Sequence, residues 1–367
     1  MARAILAACS LLCLTVTLAV TSAVPGTVTT IVNPSLFTKP HGEEHLHGIV
    51  RDPITGNIYV ADWNLFSVGN TPFFGPYIEN KDSVRAIDAL KEVSVLTYVI
   101  APNGMAYDPT DRRIYVAVGT VSCGGGSATA PGPALNGIVS IDPATGKATV
   151  LSGGKPGSEN GSKEEARYSE PAGIVYDPGS GSFFVSEPCA NRIRQVDANG
   201  DAGTLAGSGT AGHADGSGAG ATFDYPRGIA YCEHEHTLYV ADRDNNEIRA
   251  VSLQGTVTTL AGAPEAGFAD GKGTSARFDH PTGVACDNAG NVYVADSQNN
   301  AIRQIDASGT VTTLAGGRNA GTADGVGAAA SFSTPGDLMY DPVENALFVV
   351  DWGSNSIRKI AVAAPGT

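Results

Sequence analysis

A unit of about 55 residues recurs six times along this 367-residue chain, and its clearest copy, residues 281–317, reads PTGVACDNAGNVYVADSQNNAIRQIDASGTVTTLAGG. A period of that size constrains the fold more than any local signal. It points to architectures in which each unit buries its apolar face against the next. Within the copy, TGVACD, NVYVAD, AIRQID and TVTTLAG are β-branched or alternate apolar with polar, and each closes on Asp, Asn or Gly. That is the pattern of four short strands joined by tight turns, with no helix required.

The units open at Leu46, Pro102, Pro171, Pro226, Pro281 and Pro335. Their second strands read NIYVAD, RIYVAV, SFFVSE, TLYVAD, NVYVAD and ALFVVD. The sixth unit ends after its third strand, IRKIA, whereas Gly26 to Val32 reads GTVTTIV, nearly the GTVTTLA of residues 255–261 and 309–315. The N-terminal segment, about 26–32, is therefore expected to complete the last blade. A ring closed in this way joins first and last repeats and leaves no open end. The expected fold is all-β: a single-domain six-bladed β-propeller of four-stranded antiparallel blades over residues 24–367. The segment RAIDALKEVS has a helical periodicity, but the repeat register assigns it to a third strand and a turn.

Glu187 and Arg194, Asp242 and Arg249, Asp296 and Arg303, and Asp351 and Arg358 are each seven residues apart. This spacing places acid and base opposite each other across two-residue turns, Ala190-Asn191, Asn245-Asn246, Asn299-Asn300 and Ser354-Asn355. Unit one keeps Asp62 and Arg85 around an insertion. Unit two has lost both, with Val118 and Ser140 in their places. Joint loss marks the two as partners, so they are read as structural ion pairs rather than catalytic dyads. In the connectors, Asp215-Gly216, Asp270-Gly271 and Asp324-Gly325 read as turns, and Tyr168, Phe223, Phe278 and Phe332 as wedges between blades. Calcium binding by those Asp residues would need about six or more converging oxygens.

The pattern P-x-G-[IV]-x-x-D-x-x-G-[NS]-x-[YF]-V-[AS]-[DE]-x-x-N-x-I-R resembles NHL repeats, which form six-bladed propellers. The resemblance covers nearly all of the chain after its N-terminal segment and is strongest in units four and five. It specifies fold but not function, since NHL propellers serve as enzymes, receptors, RNA binders and scaffolds. In the amidating lyases of this propeller type, zinc is held by His residues directly after the blade-opening Pro. Those positions here hold His47, Asn103, Ala172, Arg227, Thr282 and Gly336. With one His among six, a three-histidine zinc centre cannot be built from this ring. The loop ADRDNNEIR, with Arg243, resembles a segment of those lyases.

Composition narrows the partners. A net charge of -14 opposes the phosphate-neutralising surface that nucleic-acid binding requires. Residues 1–23 have the order of a secretory signal peptide, one Arg, an apolar run and small residues ending at Ala23, and no second hydrophobic span follows. A secreted or luminal protein without a membrane span, and monomeric, is expected. Cleavage would leave Cys123, Cys189, Cys232 and Cys286 as disulfide candidates, with Cys123–Cys189 and Cys232–Cys286 each joining adjacent blades; four cysteines permit three pairings. Asn160-Gly161-Ser162 is a glycosylation sequon.

Irregularity concentrates on one face, where units one and two carry long insertions between their second and third strands. Trp63 and Trp352 occupy equivalent positions in units that ring closure makes neighbours, and Phe73, Phe74 and Tyr77 lie in the adjoining insertion. With Asn103, Arg227 and Arg243 they form a candidate ligand surface. His41, His45 and His47 could hold zinc or calcium near the same mouth, although a polar connector whose histidines meet water or backbone is the simpler reading. The leading expectation is a binding or scaffold module for an extracellular protein, peptide or glycan, without catalysis or cofactor. The alternative is a metal-dependent hydrolase or lyase, since gluconolactonases resemble this architecture.

Overall fold

A computed structural model of the chain describes residues 24–32, 43–65, 82–89, 91–99, 101–119 and 136–363, with backbone alone at 43–45 and 63–65. The proposed signal peptide and much of both insertions lie outside these residues.

Six antiparallel sheets follow one another in a ring. Blade 4 is representative: its strands are Pro226–Cys232, Thr237–Asp242, Glu247–Ser252 and Thr256–Gly262, each hydrogen-bonded to the next. The segment RAIDALKEVS starts within the third strand, Ser83–Ile87, and turns after it at Asp88 and Ala89, as the register required. Blade 6 takes Pro335–Asp341, Ala346–Asp351 and Ser356–Ala361 from the C-terminal region and Thr27–Val32 from the N-terminal region. Thr29 pairs with Lys359 and Val28 with Ile360, so the ring is closed as expected.

Blades 4, 5 and 6 have a feature the repeat pattern does not announce. Two residues of the incoming connector, Gly216–Ser217, Gly271–Lys272 or Gly325–Val326, pair with the outer strand as a short fifth strand. These pairings satisfy amides and carbonyls that an edge strand would otherwise leave open.

Side chains of neighbouring blades interlock in six buried clusters, one at each blade interface. Phe223 joins blades 3 and 4, Phe278 blades 4 and 5, Phe332 blades 5 and 6, and Tyr168 blades 2 and 3; all four are 0% exposed. The wedge reading holds. Burying one such ring contributes about 1.5–3 kcal/mol.

The acid–base pairs form, but not across two-residue turns. Asp242 faces Glu247, and the intervening Arg243 to Asn246 make a four-residue turn, a 3-10 segment ending in left-handed Asn246 at φ 54°. Arg249 therefore meets Asp242 on the diagonal, Nη1 to Oδ2 at 2.7 Å. Diagonal neighbours on one sheet face remain within reach of a side chain as long as Arg. Arg303 meets Asp296 at 2.8 Å, Arg194 meets Glu187 at 3.0 Å and Arg85 meets Asp62 at 2.5 Å; Arg358 and Asp351 stand at 3.6 Å.

The connector Asp residues do more than turn the chain. Asp215, Asp270 and Asp324 accept from Arg249, Arg303 and Arg358 at 2.7, 2.6 and 2.8 Å, and from Thr259, Thr313 and Thr30. Each of these arginines also lies over its wedge ring, at 5.5, 5.3 and 5.1 Å from the centroid. The guanidinium thus pins connector, wedge and hairpin together. Asn160 takes the Asp position before blade 3, where its Oδ1 accepts from Thr204 at 3.1 Å.

Candidate functional site

The six positions after the blade openings, His47, Asn103, Ala172, Arg227, Thr282 and Gly336, all line one axial cavity of about 400 Å³. Local backbone geometry puts them there. In five of the six first strands the register slips near the residue after the opening position, as between Pro226 and Ile229. Such a bulge re-aims the adjacent side chain, here toward the axis. A second device sets the entry angle. The residue before each opening Pro has positive φ, 57° at Tyr225, and Asn191, the left-handed turn residue of blade 3, holds the Tyr225 amide through Oδ1 at 2.9 Å. Asn246 and Asn300 hold His280 and Thr334 in the same way. A non-glycine residue in that region costs about 1–3 kcal/mol and persists where its surroundings over-determine it.

Below the polar ring lies a collar of glycines. A Cβ at Gly48 would come within 2.3 Å of the Asn103 carbonyl, and at Gly228 within 2.3 Å of the Thr282 carbonyl. The first strands approach so closely that only hydrogen fits. Further along, Ile49, Met105, Ile174, Ile229, Val284 and Leu338 line the wall, and Tyr107, Tyr176, Tyr231 and Tyr340 follow.

Blade 6 departs from the pattern. Where the other units have Pro-x-Gly or Leu-His-Gly, it has Pro335-Gly336-Asp337. Gly336 opens space at the mouth, for a Cβ there would fall 1.7 Å from Cε2 of Trp352. The indole consequently lies against bare backbone at the cavity rim, with His47 of the neighbouring blade 5.5 Å away, centroid to centroid. Arg227 reaches from blade 4 past blade 5 to stack on that indole, Cζ 4.6 Å from the ring centroid.

Asp337 occupies the collar position of blade 6 and accepts the Leu338 amide at 2.9 Å and the Ile49 amide of blade 1. Burial pushes its carboxyl up to about 7. Burial likewise draws the Arg227 guanidinium below its usual value. Among the described residues no acceptor hydrogen-bonds that guanidinium. The remaining polar groups of the ring are engaged: Asn103 donates to the Pro171 carbonyl at 3.0 Å, and Thr282 bonds Ser297 and, at 2.7 Å, the Gly336 carbonyl.

Of the expected ligand surface, Trp352 and Arg227 come together, and Asn103 lies on the same ring. Arg243 stands beside the mouth, over the Tyr225 ring at 5.3 Å and paired with Asp244. The backbone of Trp63 pairs with His45. Phe73, Phe74, Tyr77 and His41 lie outside the described residues, as do the side chains of Trp63 and His45. Among the described residues no three His, Cys, Asp or Glu converge on a common point suited to a metal. Cys232 and Cys286 form a disulfide joining blades 4 and 5, Cα atoms 6.0 Å apart; Cys123, the expected partner of Cys189, is outside the described residues. Asn160 is exposed. No helix of the described residues is long and apolar enough to cross a membrane. Sequence reasoning missed Asp337, although the exchange of Gly and x in the sixth Pro-x-Gly was its visible signal.

Residues 265–361 match the Teneurin NHL domain family. The chain is 29% identical over 283 residues to the chloroplastic protein SUPPRESSOR OF QUENCHING 1 of Arabidopsis thaliana, covering 58% of this chain and 27% of that protein. It is 35% identical over 151 residues to NHL repeat-containing protein 2 of Bos taurus, covering 38% of this chain and 21% of that protein. The chain thus spans well under a third of the length of these relatives. Among solved structures, an auxiliary nutrient binding protein from Bacteroides thetaiotaomicron superposes with TM-score 0.64 at 16% identity, covering 91% of this chain and 76% of that one. A gluconolactonase from Xanthomonas campestris superposes with TM-score 0.58 at 15% identity, covering 92% and 89%. At these identities the likeness extends to the fold alone.

Proposed function

We propose that this NHL-repeat propeller is a secreted binding module that takes a protein, peptide or glycan at the mouth of its central channel, on the face from which the insertions of blades 1 and 2 leave. The observation that carries this reading is Arg227, stacked on Trp352 at the cavity wall with no acceptor for its guanidinium among the described residues. A guanidinium laid on an aromatic plate at a cavity wall, with its N–H edge open to the cavity, is suited to an anionic ligand. The overall negative charge sets nucleic acid aside as the partner. Asn160 glycosylation and an oxidised Cys232–Cys286 pair fit the same extracellular setting.

The test is a screen of peptide and glycan arrays with the signal-cleaved protein beside Trp352→Ala. Hits that vanish with the indole support the mouth as the binding site; hits that survive its removal place binding elsewhere on the molecule. A second reading, hydrolysis at the same mouth, is favoured by Asp337, whose raised carboxyl could exchange a proton near neutrality. Turnover of lactones or esters that falls with Asp337→Asn would establish it.

A further inference from the structure

Resting on the binding reading above, we infer that the group recognised at the channel mouth is a carboxylate, bound edge-on by the guanidinium of Arg227 while Trp352 supports its flat face. Stacking occupies one face of the guanidinium and leaves its N–H edge, the edge that matches two carboxylate oxygens at once, for in-plane partners. The charge of the mouth selects a monoanion. Arg243 is paired with Asp244, and Glu170 and Asp337 both act electrostatically on Arg227. A dianion such as phosphate would meet these two acids with only one unpaired guanidinium to offset them. The wall beyond the glycine collar adds a second requirement. Ile49, Met105, Ile174, Ile229, Val284 and Leu338 offer an aliphatic lining to whatever lies next to the bound carboxylate.

Two sources supply such a group, the C-terminus of a peptide with an apolar last residue and an acidic sugar. Trp63 and Trp352 are the two tryptophans, so ¹⁵N-labelled protein shows two indole N–H signals and Trp63→Phe assigns them. The probes are N-acetyl-leucine and N-acetyl-leucinamide, glucuronate and glucuronamide, and inorganic phosphate. The expected result is a saturable shift of the Trp352 signal by at least one acid, none by its amide, and at least tenfold weaker binding in Arg227→Gln. Arg227→Lys, which keeps the charge without the fork, falls between. A response to N-acetyl-leucine identifies the peptide source, and one to glucuronate the sugar. Equal shifts by acid and amide overturn the inference while leaving the mouth as a binding site. Preference for phosphate, or no shift with any probe, also overturns it. Array hits that survive Trp352→Ala would instead remove the broader reading.

Discussion

Among the places where arginine stacks on an aromatic ring, the blade interfaces and the channel differ in a way that separates structure from recognition. Between the blades, Arg249, Arg303 and Arg358 lie over Phe223, Phe278 and Phe332 with both Nη atoms of each engaged by carboxylates and carbonyls. Arg303 alone bonds Asp296, Asp270 and the carbonyls of Arg277 and Ala269. In the channel, Arg227 has the ring but, among the described residues, no acceptor. The interface copies are fully buried and repeated from blade to blade; the channel copy occurs once, at a position where the other units place His, Asn, Ala, Thr and Gly. A guanidinium whose Nη atoms are all engaged is a staple, whereas one that faces a cavity and bonds no acceptor among the described residues is poised for a partner.

Breaking an interface copy should give the largest effect. Arg303→Ala takes the charge partner from the buried carboxylate of Asp296 and is expected to lower unfolding stability by about 3–5 kcal/mol, read from urea midpoints. A loss below about 1 kcal/mol would show that the staple is ornamental.

The collar should give an intermediate effect with a characteristic pH dependence. Asp337 has its folded-state carboxyl raised to about 7, so between the ordinary Asp value of about 4 and that point the folded state binds more protons than the unfolded one. Stability therefore declines as pH rises from about 4 to about 7 and levels off above. Asp337→Asn keeps an acceptor for the Leu338 and Ile49 amides and removes the titration. It should exceed the wild type by roughly 2–4 kcal/mol at pH 8 and match it near pH 4. Parallel pH profiles for the two proteins would refute this account.

The channel copy should barely affect folding. Arg227→Gln removes a partly desolvated charge that bonds no acceptor among the described residues, and its unfolding stability should stay within about 0.5 kcal/mol of wild type while ligand binding is lost. A drop comparable to that of Arg303→Ala would make Arg227 a third kind of staple and erase the contrast.

Much of the fold was legible because its determinants are local and repeated. Period-two alternation names the strands, and the orphan GTVTTIV names the closing strand of blade 6. The acid–base partnership was legible from the joint loss of both members in blade 2. Its geometry was misjudged, since a spacing of seven fits both a direct pair across two residues and a diagonal pair across four; only left-handed Asn246 and its equivalents select the second. Sequence alone reads the connector aspartates as turn residues, because their arginine partners lie more than 30 residues away in the chain.

By itself the sequence determined the number of blades, their strand order and the closure, since each follows from a pattern that one unit imposes on the next; that the six residues after the blade openings face the axis came from the resemblance to a propeller family. What only the tertiary structure decided is which members of that ring meet. Arg227 and Trp352 belong to blades that are not neighbours, and their contact depends on Gly336 leaving room for the indole at the mouth. Repetition specifies each blade and its contact with the next, but a channel mouth is bounded by all six blades at once. Its chemistry is set by the few positions where the repeat is broken, and closing the ring is what brings them together.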